Sequence, residues 1–305
     1  MFSKINNKTL FILGAGASVF FGLPTGAQLV KNITKGNYEI AGITGTDLEE
    51  FKKKLKNTGL KSIDLFLEYA YKNYSKEDSE KYIGIGKEVI LYFMRIGEKQ
   101  FNYNEIVEKV NDNWYLELWD RIHDKQYKLR DGSITFITFN YEFSLEIFLY
   151  KVIRHTNYSN KLEKEDKEKI IDLIKKIKII HIYGTVGDII LNTDVQIFSP
   201  DFSIDSDNLM GIKYDKDRIK LIHERNDADS DIKEAKKIVE EAGNIYILGF
   251  GYDDINMKKL GFEINPLERL VKNIKNRKIN SKSIYATRYK INDRKVLDKE
   301  EKTDK

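Results

Sequence analysis

The chain has 305 residues, of which 41% are apolar and 33% charged, with a formal net charge of +4 and no cysteine. The lack of cysteine excludes a disulfide scaffold, a Cys-ligated zinc module, a thiol nucleophile and an iron–sulfur cluster. The near balance of charge argues against a dedicated nucleic-acid binder, whose basic face normally dominates. No secretory signal and no apolar run of about 18 residues is present, so a soluble cytoplasmic protein without membrane contact is expected.

Thr9 to Leu13 is a short apolar run of β type, followed at once by Gly14-Ala15-Gly16-Ala17-Ser18 and then by Gly22-Leu23-Pro24-Thr25. A strand running into a glycine turn and then a helix brings backbone N–H groups up to a phosphate. Glycine suits this because a Cβ would block the tight turn and the close approach. A dinucleotide fingerprint needs a third glycine at its sixth position, which here is Val19; the next glycine arrives only at Gly22. The acidic residue expected about 20 positions on could be Glu39, but no clear second strand precedes it, so a dehydrogenase is poorly supported.

From residue 45 the pattern turns helical. Thr46 to Glu49 has the form of a capping box, and Leu48, Phe51 and Leu55 recur at helical spacing. Ser62 and Ser75 open two more helices, and a fourth carries Trp114, Leu118 and Ile122. Residues 45–128 therefore read as a helical module whose aromatic residues belong to its core.

Asp131-Gly132 closes that module. Ile134 to Phe139 is β-branched and aromatic, as a buried strand of a parallel sheet should be, and Asn140-Tyr141-Glu142 follows at its carboxyl end. Phe143, Ile147, Phe148 and Val152 lie on one helical face, and 162–177 is a Lys/Glu-rich helix. Lys178 to Tyr183 is the next strand, carrying His181 and ending at Gly184. Residues 185–228 give no clear pattern. Asp231 to Ala242 is a helix with Asp231 and Glu234 as a capping pair and Gly243 as its terminal glycine. Asn244 to Leu248 is a buried strand running into Gly249-Phe250-Gly251-Tyr252-Asp253-Asp254, Asn265-Pro266 starts another helix, and Ser283 to Thr287 is the last strand. The charged tail, 291–305, is expected to fray.

Strands alternating with helices predict a mostly parallel α/β sheet covered on both faces, with the helical module inserted after its first unit. Ligands of such sheets lie beyond the carboxyl ends of the strands. The glycine and polar clusters at Gly14–Ser18, Asn140–Glu142, His181–Gly184 and Gly249–Asp254 all fall there. Asn140 could cap the helix that follows, serve as a ligand group, or do both. His181, at a strand end before a glycine, reads as functional, whereas His123, His155 and His223 read as structural or surface residues. No His/Asp/Glu spacing indicates a metal site, and Ser18 has no acid–base relay, which argues against a serine hydrolase.

Taken in order, FILGAGASVFFGLP, TFNYE, IIHIYG and YILGFGYDD resemble the nucleotide loop, the asparagine-bearing strand end, the histidine strand and the second glycine loop of the SIR2-like family. Ser62 to Leu67 resembles a segment of its bacterial branch. The resemblance spans roughly residues 8 to 290. It implies a Rossmann-like domain over 1–44 and 129–290 that binds NAD⁺ and breaks its nicotinamide–ribose bond. By that resemblance Asn140 would hold the nicotinamide ribose or order a water, and His181 would act as base. Gly14, Ala15, Gly16, Ala17 and Ser18 would hold the phosphates. Gly249, Phe250 and Gly251 would line the adenosine-side ribose, and Pro24, Thr25, Tyr141 and Gly184 would complete the dinucleotide contacts.

Three departures from the family pattern matter. Deacylating sirtuins carry a four-cysteine zinc module; their first loop continues into Asp-Phe-Arg, where this chain has Thr25-Gly26-Ala27; and Glu142 stands where aspartate is usual. These favour the NAD⁺ hydrolases of bacterial antiviral defence, in which a helical module replaces the zinc module. An NAD⁺-dependent deacylase, an ADP-ribosyltransferase and a non-enzymatic nucleotide sensor are the alternatives. The resemblance also implies self-assembly or a partner protein such as an ATPase, with no metal cofactor.

Overall fold

The computed structural model describes residues 8–99, 114–123, 134–157, 164–191, 202–204, 210–251, 254–262 and 283–286. The helix expected from Asn265, the turn at Asp131-Gly132 and the tail lie outside the described residues. Five strands form one all-parallel sheet: β1 (Thr9–Leu13), β2 (Ile134–Thr138), β3 (Lys178–His181), β7 (Asn244–Leu248) and β8 (Ser283–Ala286). Their order across the sheet is β3-β2-β1-β7-β8. Counted along the chain this is third, second, first, fourth, fifth, the order of a Rossmann-type sheet. The order reverses between β1 and β7.

Sequence dictates why β1 is central. Every residue of TLFIL is buried, so the strand is usable only where helices cover both faces. Phe11 sits in register with Phe136 on one side and Tyr246 on the other. The rings stack at 5.3 and 5.1 Å, and Tyr246 stacks in turn on Tyr285 at 4.8 Å. Complete burial of one such ring contributes about 1.5–3 kcal/mol.

The helices are α1 (Gly26–Lys35), α2 (Gly45–Thr58), α3 (Ile63–Asn73), α4 (Lys76–Lys99), α5 (Trp114–Ile122), α6 (Ser144–Asn157), α7 (Lys164–Lys176), α8 (Ser230–Glu241) and α9 (Asp254–Lys259). Ser62 and Ser75 cap α3 and α4 as expected, accepting from Asp64 N and Asp78 N. The cap of α2 is Thr44 rather than Thr46, because the Thr44 hydroxyl reaches Asp47 N at 3.1 Å. Asp229 precedes α8 without a side-chain cap bond, and Gly243 donates to Lys8 O instead of closing the helix in a left-handed turn.

The stretch 185–228, unassigned from sequence, contains a second sheet. Strands β4 (Gly187–Leu191), β5 (Phe202–Ile204) and β6 (Met210–Tyr214) are antiparallel in the order β4-β6-β5. It is stitched to the first sheet's carboxyl edge by Val186 N to Tyr141 O at 2.9 Å and Lys220 N to Tyr183 O at 2.8 Å.

Candidate functional site

Parallel register places the candidate residues in one row. Leu13 pairs with Thr138 and with Leu248, and Thr138 pairs with His181. The next backbone bonds extend the ladder past the strand ends: Phe139 N to Leu13 O at 3.0 Å, Ile182 N to Thr138 O at 2.9 Å and Gly14 N to Leu248 O at 3.0 Å. Gly14, Asn140, His181 and Gly249 therefore meet at the sheet's carboxyl edge, with Gly14 and Gly249 at the point where strand order reverses.

The two glycine loops are built against each other. Gly16 N donates to Gly249 O at 2.8 Å. A Cβ on Gly14 or Gly16 would lie 2.8 Å from Gly249 O, and one on Gly249, whose φ is +59°, would lie 1.9 Å from Ala17 N. Glycine is required here by backbone-to-backbone contact. The amides of Gly14, Gly16, Ala17 and Ser18 all donate within the protein.

No α-helix follows this loop directly, contrary to the expectation from sequence. Ala15–Ala17 and Val19–Phe21 form two 3₁₀ turns, Gly22 is left-handed at φ 83°, and α1 begins only at Gly26. Phe21 is drawn inward against Tyr115, with ring centroids 4.5 Å apart, and the left-handed Gly22 ends the turn. Thr25 caps α1 in a reciprocal pair with Gln28.

Asn140 is the hub of the row. It does not cap α6; its amide nitrogen donates to Ser18 Oγ at 2.9 Å, Glu142 Oε1 at 2.9 Å and Gly14 O at 3.3 Å. Ser18 Oγ also donates to Glu142 Oε1 at 2.5 Å, and Glu142 Oε2 takes Ser144 N at 2.5 Å at the start of α6. Those partners orient the carboxamide, and its Oδ1 is buried without a hydrogen-bond partner among the described residues.

The His181 imidazole lies beside this hub. Nδ1 donates to Asn140 O at 2.8 Å, and Nε2 meets Glu146 Oε1 at 2.7 Å. Both side chains are about 10% exposed. Burial acts to lower the His181 pKa, but the charge and hydrogen bond of Glu146, the Asn140 carbonyl and the charge of Glu142 outweigh it and hold it above the ordinary value. The Phe143 ring stands edge-on to the imidazole at 5.8 Å, and Arg225 donates to the carbonyls of His181 and Ile182.

The helical module reaches this site through side chains. Glu98 of α4 accepts from Phe143 N at 2.7 Å and from Tyr214 OH at 2.9 Å. Its carboxyl is pushed up to about 8, mainly by burial and further by the charges of Glu142 and Glu146. From α5, Trp114 Nε1 donates to Ala17 O at 3.0 Å and Tyr115 OH pairs with Ser144 Oγ at 3.1 Å. Tyr141 OH donates to Asp64 of α3.

The fold brings together Asn140, His181, Ser18 and both glycine loops, the residues singled out from the sequence. Sequence reasoning missed Glu98, Ser144, Glu146 and Arg225. Glu146 lies in the first turn of α6, which begins at Ser144, whereas Glu142 precedes the helix, so no helical spacing in the sequence pointed to Glu146.

The remaining expected residues are not all at this center. Phe250 is buried against Gly14, and Gly251 is exposed with open space beside it. Gly184, at φ +68°, allows a turn whose Cβ would meet Arg218 O at 2.0 Å. Pro24 lines a separate cavity of about 500 Å³ with Gly22, Lys31, Lys35, Tyr38 and Tyr92, a cavity that neither Asn140 nor His181 reaches. Among the described residues no group of three His, Asp or Glu is arranged to hold a metal ion, and no helix is long and apolar enough to cross a membrane.

No protein-family model matches this chain, and no curated protein does. Solved structures are similar to it at low identity. A triple mutant of a Sir2 homologue in complex with 2′-O-acetyl ADP ribose is 13% identical, with a TM-score of 0.37 over 92% of this chain and 80% of that one. A Sir2 homologue–NAD complex is 14% identical, with a TM-score of 0.34 over 92% and 78%. A Sir2 homologue mutant with ADP ribose is 12% identical, with a TM-score of 0.34 over 92% and 80%. At this overlap the likeness adds nothing to the strand order, from which the fold class is read.

Proposed function

We propose that this chain is a SIR2-like NAD⁺ glycohydrolase that cleaves the nicotinamide–ribose bond, releasing nicotinamide and ADP-ribose. The observation that carries the reading is the buried, unpartnered Asn140 Oδ1 beside the Gly14–Ser18 loop, with His181 bonded to the same residue's carbonyl. A buried acceptor without a donor calls for an explanation, and a ribose hydroxyl or a water supplies one. The ordered motifs that resemble the SIR2-like family supply the dinucleotide.

The chemistry suits the residues. The leaving pyridinium already carries positive charge, so it departs with the bonding pair and needs no general acid. The ribose passes through an oxocarbenium-like state, as in glycoside cleavage. Buried carboxyl groups of Glu142 and Glu146 place negative charge next to the Asn140 hub, which favours a cationic transition state. Asn140 orients the ribose or the attacking water, and the His181–Glu146 pair manages the proton that water loses. The glycine loops border the dinucleotide, with Gly14–Ser18 on its phosphate side and Gly249–Gly251 on the adenosine side.

In this reading the chain depletes cytoplasmic NAD⁺ in antiviral, abortive-infection defence, held silent until triggered through self-assembly or a partner such as an ATPase. Incubation with NAD⁺, with and without an acylated peptide, tests it by chromatography. Free ADP-ribose without peptide supports the hydrolase; product formed only with peptide supports a deacylase and overturns it.

A further inference from the structure

We infer that Glu146 supplies the basic oxygen of this site and that His181 is its positioning residue. The inference rests on the NAD⁺-cleaving reading and assigns the proton-accepting atom within it.

The geometry of the imidazole comes first. A backbone carbonyl only accepts, so the contact of Nδ1 with Asn140 O requires a hydrogen on Nδ1. Nε2 is taken up by Glu146 Oε1 at 2.7 Å, with one proton between the two atoms. While both contacts stand, the ring offers no lone pair to a water. The ring's hydrogen bonds fix it as a clamp on the carboxylate.

Glu146 itself has an oxygen to spare. Its Oε2 is buried and has no hydrogen-bond partner among the described residues, and the residue as a whole is 9% exposed. A desolvated carboxylate oxygen without a donor costs about 1–3 kcal/mol or more, so a donor belongs at that position. Glu142, in the segment just before α6, has both oxygens taken. Its Oε1 accepts from Ser18 and Asn140, and its Oε2 accepts from Ser144 N.

The other charged groups around the imidazole are committed elsewhere. Arg225, from the segment before α8, donates to the carbonyls of His181 and Ile182 and pairs with Asp229 and Asp231. Glu98, from α4, is held by Phe143 N and Tyr214 OH. Glu146 is the carboxylate that meets the ring.

The step balances with water alone. A water oxygen forms a bond to C1′ of the nicotinamide ribose as the C1′–nitrogen bond breaks. The bonding pair goes to the pyridine nitrogen, and neutral nicotinamide leaves. The water's proton passes to Glu146 Oε2 and then to solvent, so NAD⁺ and water give nicotinamide, ADP-ribose and a proton.

The test compares Glu146→Gln, Glu146→Ala and His181→Gln in the full chain, with NAD⁺ affinity read by calorimetry and nicotinamide release read against pH. Glu146→Gln should keep NAD⁺ affinity within about threefold while kcat falls by about 10²–10⁴-fold, the range of a general base. Its acidic limb in kcat/KM should vanish, whereas His181→Gln should keep that limb at reduced kcat. Azide, a nucleophile that needs no base, should restore nicotinamide release in Glu146→Ala and yield ADP-ribosyl azide. An acidic limb that persists in Glu146→Gln and vanishes in His181→Gln makes the imidazole the base and overturns the inference alone. Wild type that releases no nicotinamide overturns the NAD⁺-cleaving reading and the inference with it.

Discussion

The Asn140 amide nitrogen donates to Ser18 Oγ at 2.9 Å, across 122 residues of sequence. This bond ties the end of β2 to the loop after β1, and Glu142 closes the triangle by accepting from both. Asn140→Asp should therefore be worse than Asn140→Ala. The aspartate loses every donor and sets a second carboxylate beside Glu142, and leaving such buried groups unpaired costs about 1–3 kcal/mol each. Thermal unfolding should show Asn140→Asp melting below Asn140→Ala, with neither releasing nicotinamide. Equal melting temperatures would show that the triangle carries no strain from a like charge.

Gly249 and Gly251 should respond differently to alanine. A Cβ at Gly249 would sit 1.9 Å from Ala17 N on a left-handed backbone, while one at Gly251 meets nothing within 4 Å. The left-handed conformation alone costs about 1–2 kcal/mol for a residue with a Cβ, and the clash with backbone adds to it. Gly251→Ala should stay within about 0.5 kcal/mol of wild type. Denaturant midpoints of the two variants check the contrast.

Glu98 gives the protein a pH-dependent stability of predictable sign. Its folded pKa, about 8, lies above the ordinary 4.5. The stability it contributes is full below pH 4.5 and is lost as pH rises through 8. Each unit of difference corresponds to about 1.4 kcal/mol, so the loss amounts to a few kcal/mol. Glu98→Gln keeps an acceptor for Phe143 N and should flatten the decline, leaving the variant more stable than wild type at pH 9. Melting curves from pH 5 to 9 would expose a wild type with no such decline.

The His181–Glu146 pair acts in the same sense over a different window. The His181 pKa is held above its ordinary 6.5, so the pair's contribution is complete below that pH and fades as pH rises through the folded value. Glu146→Gln should bring the imidazole titration, followed by NMR, to lower pH. A titration unmoved by that substitution would mean that the pair does not hold the proton.

Much of the sheet was legible in the sequence because its strands are buried on both faces. TLFIL, ITFIT and NIYIL carry no charge and are mostly apolar and β-branched or aromatic, and a parallel Rossmann-type order is the arrangement that uses such strands. Asn140 and His181 stood out for the same reason, as polar residues at the ends of apolar runs. The β4–β6 sheet did not, because its strands are only three to five residues long, show no regular alternation, and pair across a long connection. Nor did Glu98 and Glu146, which occupy helical positions that read as ordinary surface charge until the tertiary contacts bury them. The first loop misled in a specific way. Its glycines serve contact with Gly249, more than 200 residues away in the chain, and that contact has no local signature.

Nicotinamide release from NAD⁺, followed by chromatography for wild type and Asn140→Ala side by side, tests the central claim most directly. Wild type should yield nicotinamide and ADP-ribose in equal amounts with no added acceptor, and Asn140→Ala should yield neither. NAD⁺ recovered intact from wild type, or equal turnover by the two proteins, would contradict it.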